Sequence, residues 1–385
     1  MSVTLRFYGG FGEKGRTCLG LDAAGLRVIF DAGIKVGAEG DDYHPAIPEA
    51  EIPRLDAVFI THAHEDHIGA LSWLLARGFA GRVFMTHETW RDAPGMQKQY
   101  ARPEDLSRFA LEEERLTLFR PGETLHLGAL SIATGRSGHV PGGAWFSITA
   151  GNKRIGYCGD VVPHSPVLVM DEMPACDVLL LDASYGADDQ GGTLRARQIR
   201  DWLSAAKGGC LLPLPVSGKP LEILALIEGP SAIHHSMIAP IRAQLASDGA
   251  LRPEAAAKIA TALAGARVWR DGEPLPAMPL LTWDGMGASG PSAEAILRAD
   301  AEGVPILLTG HIPAATPARR LFEAGRASWI RLPTHPVASE NLAIWQGTGA
   351  PLVLGHSTEP EGLVDLQKII PPLDLDARTG QIRNL

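Results

Sequence analysis

The sequence has few cysteines and no long apolar run, and each shortage excludes a class of protein. The four cysteines lie far apart and form no C-x-x-C pair, so we expect neither a disulfide framework nor a thiolate zinc site. This usage is typical of a reducing, cytoplasmic compartment. No apolar run is long enough to cross a membrane, and the first residues do not resemble a signal peptide.

The chain also lacks an excess of positive charge, since its formal net charge is −9. This charge argues against a protein that coats nucleic acid non-specifically. It does not exclude a nuclease, because bound divalent cations add positive charge locally. The 385 residues include 43 Gly and 29 Pro, which favours one large or two medium domains of loop-rich α/β structure over a helical bundle.

Short apolar segments separated by glycine-rich turns occupy the first half of the chain. A helix follows at Asp66, because apolar side chains recur with helical spacing from Ile68 as far as Gly78. The predicted strands of this part are residues 26–30, 56–60, 82–86, 145–149, 154–158 and 178–181.

The pattern changes near residue 194, where amphipathic helical segments begin to alternate with short apolar strands. This alternation predicts a small parallel sheet flanked by helices. After residues 305–310 the strand–loop pattern with histidines returns. We therefore predict a first domain over residues 1–193, an inserted α/β domain over 194–310 and completion of the first domain by 311–385. The last residues are predicted to be a surface tail.

A histidine-rich loop directly follows the strand at residues 56–60. It contains His62, His64, Asp66 and His67 within six residues. Imidazole and carboxylate groups are the ligands that zinc-like ions prefer. His62 and His64 alternate in an extended segment, whereas Asp66 and His67 begin the helix, so one loop can supply two metal ions. The alternative is a polar surface loop.

Other candidate groups also follow predicted strands or glycine turns. His139 lies between glycines and is by itself equally consistent with a structural role, while Asp160 and Asp182 end strands. A carboxylate such as Asp160 can bridge two cations. His335 and His356 follow two later strands. Asp31 also ends a strand, and we interpret it as a group that orients a metal-binding histidine, the alternative being a turn residue.

Together these residues resemble a known family. The pattern His62-x-His64-x-Asp66-His67, then His139, then Asp160, resembles the metallo-β-lactamase fold. The rest of the chain is similar to its β-CASP branch, the nucleases that include ribonuclease J and the mRNA 3′-end processing endonuclease. The resemblance implies an αββα sandwich with an inserted β-CASP α/β domain. The further segments that carry it are residues 9–15, 182–186, 217–224, 284–292 and 309–311.

The resemblance also implies two divalent metal ions, with zinc as the first expectation and manganese as the alternative. Its ligands, with Asp160 shared, are His62, His64 and His139 for one ion and Asp66, His67 and His356 for the other. His335 would be the general acid and Asp182 the residue that orients it, and Asp66 is counted with them as catalytic. His356 falls on a motif that carries His in members acting on RNA.

The implied substrate contacts lie elsewhere. Lys219 stands where the family has Arg and can meet a phosphate, although a solvated surface lysine is the alternative. His311 and His164 can contact substrate or serve the fold. Val337 stands where the family has an Asp.

The resulting hypothesis is a two-metal phosphodiesterase that cleaves single-stranded RNA through a hydroxide bridging the metals. The first alternative keeps the metals and acts on single-stranded DNA or a small ester or phosphoester, which the acidic net charge favours. The second is a binding protein with a degenerate site. RNA is the expected partner, and no membrane association is expected. The sequence leaves open whether the chain forms a homo-oligomer.

Overall fold

The computed structural model describes residues 3–107 and 111–385. The chain divides into two compact units. The first comprises Met1–Pro163, Met170–Asp189 and His335–Leu385, and the second comprises His164–Val169 and Gln190–Thr334.

The strands, numbered in chain order, are β1 (Thr4–Gly9), β2 (Cys18–Ala23), β3 (Leu26–Phe30), β4 (Ala57–Phe59), β5 (Arg82–Thr86), β6 (Leu116–Phe119), β7 (Thr124–Leu127), β8 (Leu130–Arg136), β9 (Ala144–Ala150), β10 (Lys153–Tyr157), β11 (Val178–Asp182), β12 (Cys210–Pro213), β13 (Ala232–His234), β14 (Arg267–Trp269), β15 (Pro279–Thr282), β16 (Leu307–Leu308), β17 (Ser328–Trp329), β18 (Leu352–His356), β19 (Leu373–Asp374) and β20 (Ile382–Asn384).

The α-helices are α1 (Glu65–Ile68), α2 (Leu71–Ala76), α3 (His87–Tyr100), α4 (Pro103–Leu106), α5 (Gly192–Ala205), α6 (Lys219–Leu226), α7 (His235–Leu245), α8 (Pro253–Gly265), α9 (Gly290–Glu302), α10 (Pro317–Glu323), α11 (Ala338–Thr348) and α12 (Pro360–Gln367). Short 3₁₀ helices cover Gly40–Asp42, Glu49–Arg54 and Glu113–Arg115.

Two seven-stranded sheets form the first unit. One has the order β20-β1-β2-β3-β4-β5-β6, and the other has the order β19-β18-β11-β10-β9-β8-β7. In the first sheet β3 to β6 are parallel, and in the second β10, β11, β18 and β19 are parallel. Their carboxyl ends therefore meet at one edge of each sheet, where loops can carry functional groups.

The apolar residues of the central strands serve two cores at once. Val28 and Phe30 of β3 pack into a core shared by both sheets, while Ile29 between them packs against helical residues such as Leu71 on the outer side. Likewise Leu180 faces the other sheet. Because successive side chains point to opposite faces, a strand covered on both sides is apolar throughout. The result is the predicted αββα sandwich.

A four-stranded parallel sheet of order β12-β15-β13-β14 forms the centre of the second unit, as the alternation of strands and helices predicted. Leu212 packs into one core on this sheet, and its neighbour Leu211 packs into the other. Helices therefore cover both faces.

The second unit continues beyond residue 310, where the sequence placed the end of the inserted domain. Ile306 bridges to Leu211, β16 pairs with β17, and Leu308 lies in the same core as Leu321 of α10. These contacts keep the chain in the second unit as far as Thr334.

Two local predictions were wrong. The helix expected from Asp66 to Gly78 is divided into α1 and α2, with Gly69 and Ala70 between them. An added Cβ atom at Gly69 would lie 2.7 Å from Ile34 Cγ1. The predicted surface tail instead forms β20, which pairs with β1 from Thr4↔Asn384 to Arg6↔Ile382. A strand this short has little periodic signal, so only its pairing partner defines it.

The loop after β3 supports the histidine-rich loop through backbone contacts. Gly33 donates to the carbonyl of Thr17, Thr17 donates to the carbonyl of Asp66, and Ala32 donates to the carbonyl of His67. A Cβ atom at Gly33 would lie 1.7 Å from the Asp66 carbonyl oxygen.

Gly33→Ala is therefore expected to destabilise the protein by about 1–3 kcal/mol through overpacking. The measurement is denaturant unfolding of the variant and the wild type. Gly95→Ala is the matched control, because Gly95 is exposed in α3 with no atom near an added Cβ, and it should be neutral or stabilising by ~0.5–1 kcal/mol. Equal stability of Gly33→Ala and the wild type would contradict this interpretation of the loop.

Candidate metal centre

The histidine-rich loop leaves β4 at Phe59 and brings three imidazoles together. The ring centroids of His62 and His67 are 4.3 Å apart, and those of His62 and His64 are 4.6 Å apart. His62 and His67 are fully buried, and His67 is a residue of α1. The structure thus gathers the three imidazoles of this loop.

One ligand group consists of His62, His64, His139 and Asp160, whose ligand atoms all lie within 4.8 Å of one another. The Nε2 atoms of His62 and His139 are 3.7 and 3.5 Å from Asp160 Oδ2. Burial and the neighbouring imidazoles lower the pKa of His62 and His64 well below the ordinary value. Both rings are therefore neutral and can offer a lone pair, which a metal ligand must do.

A second set of residues surrounds His67. Its Nε2 atom is 3.1 Å from Asp160 Oδ1 and 3.7 Å from Asp66 Oδ2. His356 ends β18 beside Asp182 of β11, is fully buried, and its Nδ1 lies 2.9 Å from the Ser357 hydroxyl. Asp160 thus has one carboxylate oxygen toward each set of histidines, which is the geometry that a shared ligand requires.

The carboxylates around His67 stabilise a positive charge on its buried ring. Burial by itself would lower the pKa of His67, but the carboxylates of Asp160, Asp66 and Asp31 together raise it well above its ordinary value. Burial would likewise raise the pKa of Asp160, yet the histidines around it hold that pKa well below its usual range. A proton and a metal cation compete for this environment.

Several buried atoms at the site have no hydrogen-bond partner. They are the Nε2 atoms of His62, His64 and His356, whereas His67 Nε2 and Asp160 Oδ1 face each other at 3.1 Å as an ion pair. Each unsatisfied buried polar atom costs about 1–3 kcal/mol, so this concentration at one place requires a reason. A divalent cation provides it, because imidazole nitrogens and carboxylate oxygens are its ligands. The donor set therefore fits divalent metal.

Asp31 orients the candidate metal-binding side chains through hydrogen bonds. Its carboxylate accepts hydrogen bonds from the Thr61 backbone N–H at 2.7 Å and the Tyr157 hydroxyl at 2.8 Å. His67 Nδ1 lies 2.8 Å from Asp31 Oδ2, so it carries the hydrogen and leaves Nε2 free for a cation. The Thr61 hydroxyl reaches both Asp31 and His62 Nδ1, which orients the second ring in the same sense.

His335 and Asp182 form a pair beside the first ligand group. His335 Nδ1 is 2.9 Å from Asp182 Oδ2 and 3.7 Å from Asp160 Oδ2. The fully buried Asp182 is held in turn by the N–H and hydroxyl of Ser184 at 3.1 and 2.6 Å. Burial lowers the pKa of His335, but these two carboxylates more than compensate and raise it. The His335 side chain is 21% exposed. Asp182 orients its ring, and the raised pKa means that the ring can carry a proton.

The three predicted substrate contacts, Lys219, His311 and His164, all belong to the second unit. Lys219 is only 7% exposed, which excludes the solvated surface lysine that the sequence left open. Its ammonium donates to the Thr309 carbonyl at 3.2 Å, and burial lowers its pKa to about 8. His164 and His311 are exposed, and their contact with substrate stays a prediction.

Sequence reasoning missed the residues that support the ligands from behind. Tyr157 and Thr61 hold Asp31, and Ser184 holds Asp182. The sequence does contain a signal for Thr61. Its hydroxyl lies between a buried strand and the histidine-rich loop, where it needs a hydrogen-bond partner. Tyr157 lies in a buried strand, where its hydroxyl also requires a partner.

Within residues 3–107 and 111–385, no helix combines the length and the apolar character that crossing a membrane requires. The four cysteines Cys18, Cys158, Cys176 and Cys210 are free and buried.

Four layers of helices and sheets, with histidines and carboxylates at the strand ends, define a metallo-β-lactamase-type protein with a site suited to divalent metal. A family described as a beta-lactamase superfamily domain matches residues 26–214. Over these residues the chain carries a beta-lactamase superfamily domain, and curated relatives are similar to it over about half of its length.

Curated relatives match this chain in part. Cleavage and polyadenylation specificity factor 73 of Drosophila melanogaster is 28% identical over 235 residues, which cover 56% of this chain and 34% of that protein. Ribonuclease TTHA0252 of Thermus thermophilus is 35% identical over 178 residues, which cover 43% of this chain and 39% of that protein. The chain thus spans little more than a third of the length of these relatives.

A further relative is transcription termination factor FttA of Methanocaldococcus jannaschii, 28% identical over 248 residues that cover 59% of this chain and 39% of that protein. Among solved structures, a protein of unknown function from Enterococcus faecalis V583 matches over 100% of both chains with a TM-score of 0.66. At 13% identity this match shows a shared fold alone.

Asp31→Asn is expected to weaken metal binding by about 10–100-fold, because the amide cannot accept all the hydrogen bonds that hold His67 and Thr61. Asparagine tolerates the positive φ of 62° at this position, so the backbone is preserved. The measurement is metal content after dialysis against a buffered metal solution. Tyr157→Phe is the control, since it removes one hydrogen bond and should have a smaller effect. Unchanged metal affinity in Asp31→Asn would show that Asp31 serves the fold alone.

Glu222 of the second unit provides a prediction about pH. Burial raises its pKa to about 7 from an ordinary value of 4.5, although a hydrogen bond from the Ser165 hydroxyl opposes the shift. At a pH between these two pKa values, the Glu222 carboxyl keeps its proton in the native state and releases it in the unfolded chain. Stability is therefore lost as pH rises through this window, at up to about 1.4 kcal/mol per pH unit.

Glu222→Gln removes this titration, while its amide oxygen can still accept from Ser165. The variant should gain thermal stability relative to the wild type as pH rises from about 5 to about 7. Glu228→Gln, at an exposed carboxyl of the same unit, is the control and should follow the wild type. The prediction fails if the difference in Tm between Glu222→Gln and the wild type is constant with pH.

Proposed function

We propose that this chain is a two-metal phosphodiesterase that cleaves single-stranded RNA. The observation that carries the proposal is the cluster of His62, His64, His139 and Asp160, with the His335–Asp182 pair next to it. A set of metal ligands alone is also compatible with a protein that binds metal without catalysing a reaction. A proton donor held by a buried carboxylate beside that set is what hydrolysis needs in addition.

The residues that would hold the cations are the imidazoles and carboxylates gathered around Asp160. We assign His62, His64 and His139 to one ion and Asp66, His67 and His356 to the other, with Asp160 shared. When bound, two divalent ions supply a water molecule of lowered pKa and positive charge for the phosphoryl oxygens. Zinc is the metal we propose first, because imidazole dominates the donor set.

His335 would act on the leaving group. Asp182 holds Nδ1 of this ring at 2.9 Å, which leaves Nε2 as the nitrogen that can give a proton to the departing alkoxide. Because the side chain is partly exposed, a substrate can reach it. The Tyr185 ring packs on this imidazole in a T-shaped arrangement, with ring centroids 5.1 Å apart.

The choice of RNA is supported by the relatives, one of which is named a ribonuclease and others endoribonucleases. His356 supports it too, since the family members that act on RNA carry His at this motif. Four free, buried cysteines support a cytoplasmic location. The net charge of −9 favours the second candidate, a hydrolase of single-stranded DNA or of a small ester or phosphoester on the same metal site.

Metal-loaded protein is expected to cut end-labelled single-stranded RNA, and His335→Ala should slow this cleavage by about 10²–10⁴-fold through loss of the general acid. Metal content should be unchanged, because His335 is not among the assigned ligands. His126→Ala replaces an exposed histidine of the same unit and is the matched control, expected to cleave like the wild type.

The substrate panel includes DNA of the same sequence and a chromogenic phosphodiester. Cleavage of DNA or of the small ester alone would replace RNA with the second candidate. If the metal-loaded protein cleaves none of the three, the hydrolase proposal itself is wrong.

A further inference from the structure

Three metal-binding side chains meet in the second unit, at the carboxyl edge of its parallel sheet. His234 is the last residue of β13, His235 is the first of α7, and Asp271 lies two residues beyond the end of β14. β13 and β14 are adjacent and parallel, with His234 opposite Trp269, so their ends lie side by side. The ligand atoms of the three residues all lie within 4.8 Å of one another.

The central residue of this group is buried in a way that points to a ligand. His234 is 2% exposed, and its Nε2 atom has no hydrogen-bond partner. Asp271 Oδ1 lies 3.3 Å from this nitrogen, close enough to pair with it. A buried imidazole nitrogen that faces a carboxylate and a second imidazole, with ring centroids 4.4 Å apart, has the surroundings of a metal ligand.

The opposite nitrogen of His234 has a partner that suits this role. Its Nδ1 atom lies 2.7 Å from the Ser236 hydroxyl, which also accepts the Trp283 indole N–H at 2.7 Å. A serine oxygen has two lone pairs, so it can accept from both rings. The Ser236 backbone N–H also donates to Nδ1 at 3.3 Å, so without an ion Nδ1 is an acceptor and the ring hydrogen lies on Nε2, toward Asp271. When a cation takes Nε2, that hydrogen is lost to water and Nδ1 gains one, which the Ser236 hydroxyl oxygen accepts.

We propose that His234, His235 and Asp271 bind one transition-metal ion of the zinc class, separate from the ligands of the first unit. Two imidazoles and a carboxylate are typical ligands for such an ion, and they leave a coordination position for water. His235 and Asp271 are exposed, so an ion can enter from solvent and both side chains can close on it. Burial lowers the pKa of His234, and Asp271 opposes this shift. His235 and Arg270 lower the pKa further, so the ring is neutral.

The proposal does not depend on the proposed nuclease function, since its ligands and its measurement are different. The ordinary alternative is a simple contact between His234 and Asp271 without an ion. The two alternatives differ in the number of ions that the chain binds.

The test uses the full chain, stripped with a chelator and titrated with Zn²⁺ or Co²⁺. Metal content per chain is measured by mass spectrometry, and cobalt coordination by visible absorption. The double variant His235→Ala/Asp271→Asn should bind one ion fewer per chain, or bind that ion with a Kd raised at least about tenfold. His126→Ala, an exposed histidine outside the group, should bind like the wild type.

Both substituted side chains are exposed, and circular dichroism verifies that the variant is folded. Asp271→Asn alone preserves the side-chain shape and removes the charge, so it should give an intermediate Kd. Titration of Asp160→Asn, which weakens the first site, should leave the ion assigned to His234 in place. Equal ion number and equal affinity in the double variant and the wild type would overturn the proposal and leave the ordinary contact.

Discussion

A buried carboxylate, Asp31, connects the parts on which the metal centre depends. It stands at the end of β3 and accepts hydrogen bonds from the loop after β4 and from Tyr157 at the end of β10, in the opposite sheet. The same carboxylate sets the hydrogen of His67 on Nδ1. One group therefore links the two sheets beside the site and sets the direction of the His67 imidazole, so the site is organised before any ion binds.

The site that results contains several polar groups that the fold does not satisfy. The Nε2 atoms of His62, His64 and His356 are buried without a hydrogen-bond partner at the edge of a large apolar core. In such surroundings an unpaired polar atom is unfavourable, so the free energy lost here is recovered when a cation binds. The parallel strands make this possible, because their carboxyl ends deliver loops from distant parts of the chain to one edge.

Local patterns predicted much of the fold and the ligand loop. The run from His62 to His67 has its ligands a few residues apart, so strand and helix geometry alone bring them together. Strands such as β5 were predicted with their observed bounds, since their residues are mainly apolar. The pairing of β20 and the burial of Lys219 were not predictable, because each depends on residues remote in sequence.

The sequence by itself determined which side chains have metal and proton chemistry, and it determined the two-sided apolar strands that lead to them. Only the tertiary structure decided which of these side chains meet. His335 lies against Asp182 across 153 residues of chain, and Asp31 lies against Tyr157 across 126. Periodicity reports the faces of one element, whereas such pairs are created by the order and register of strands in a sheet, which no local pattern encodes.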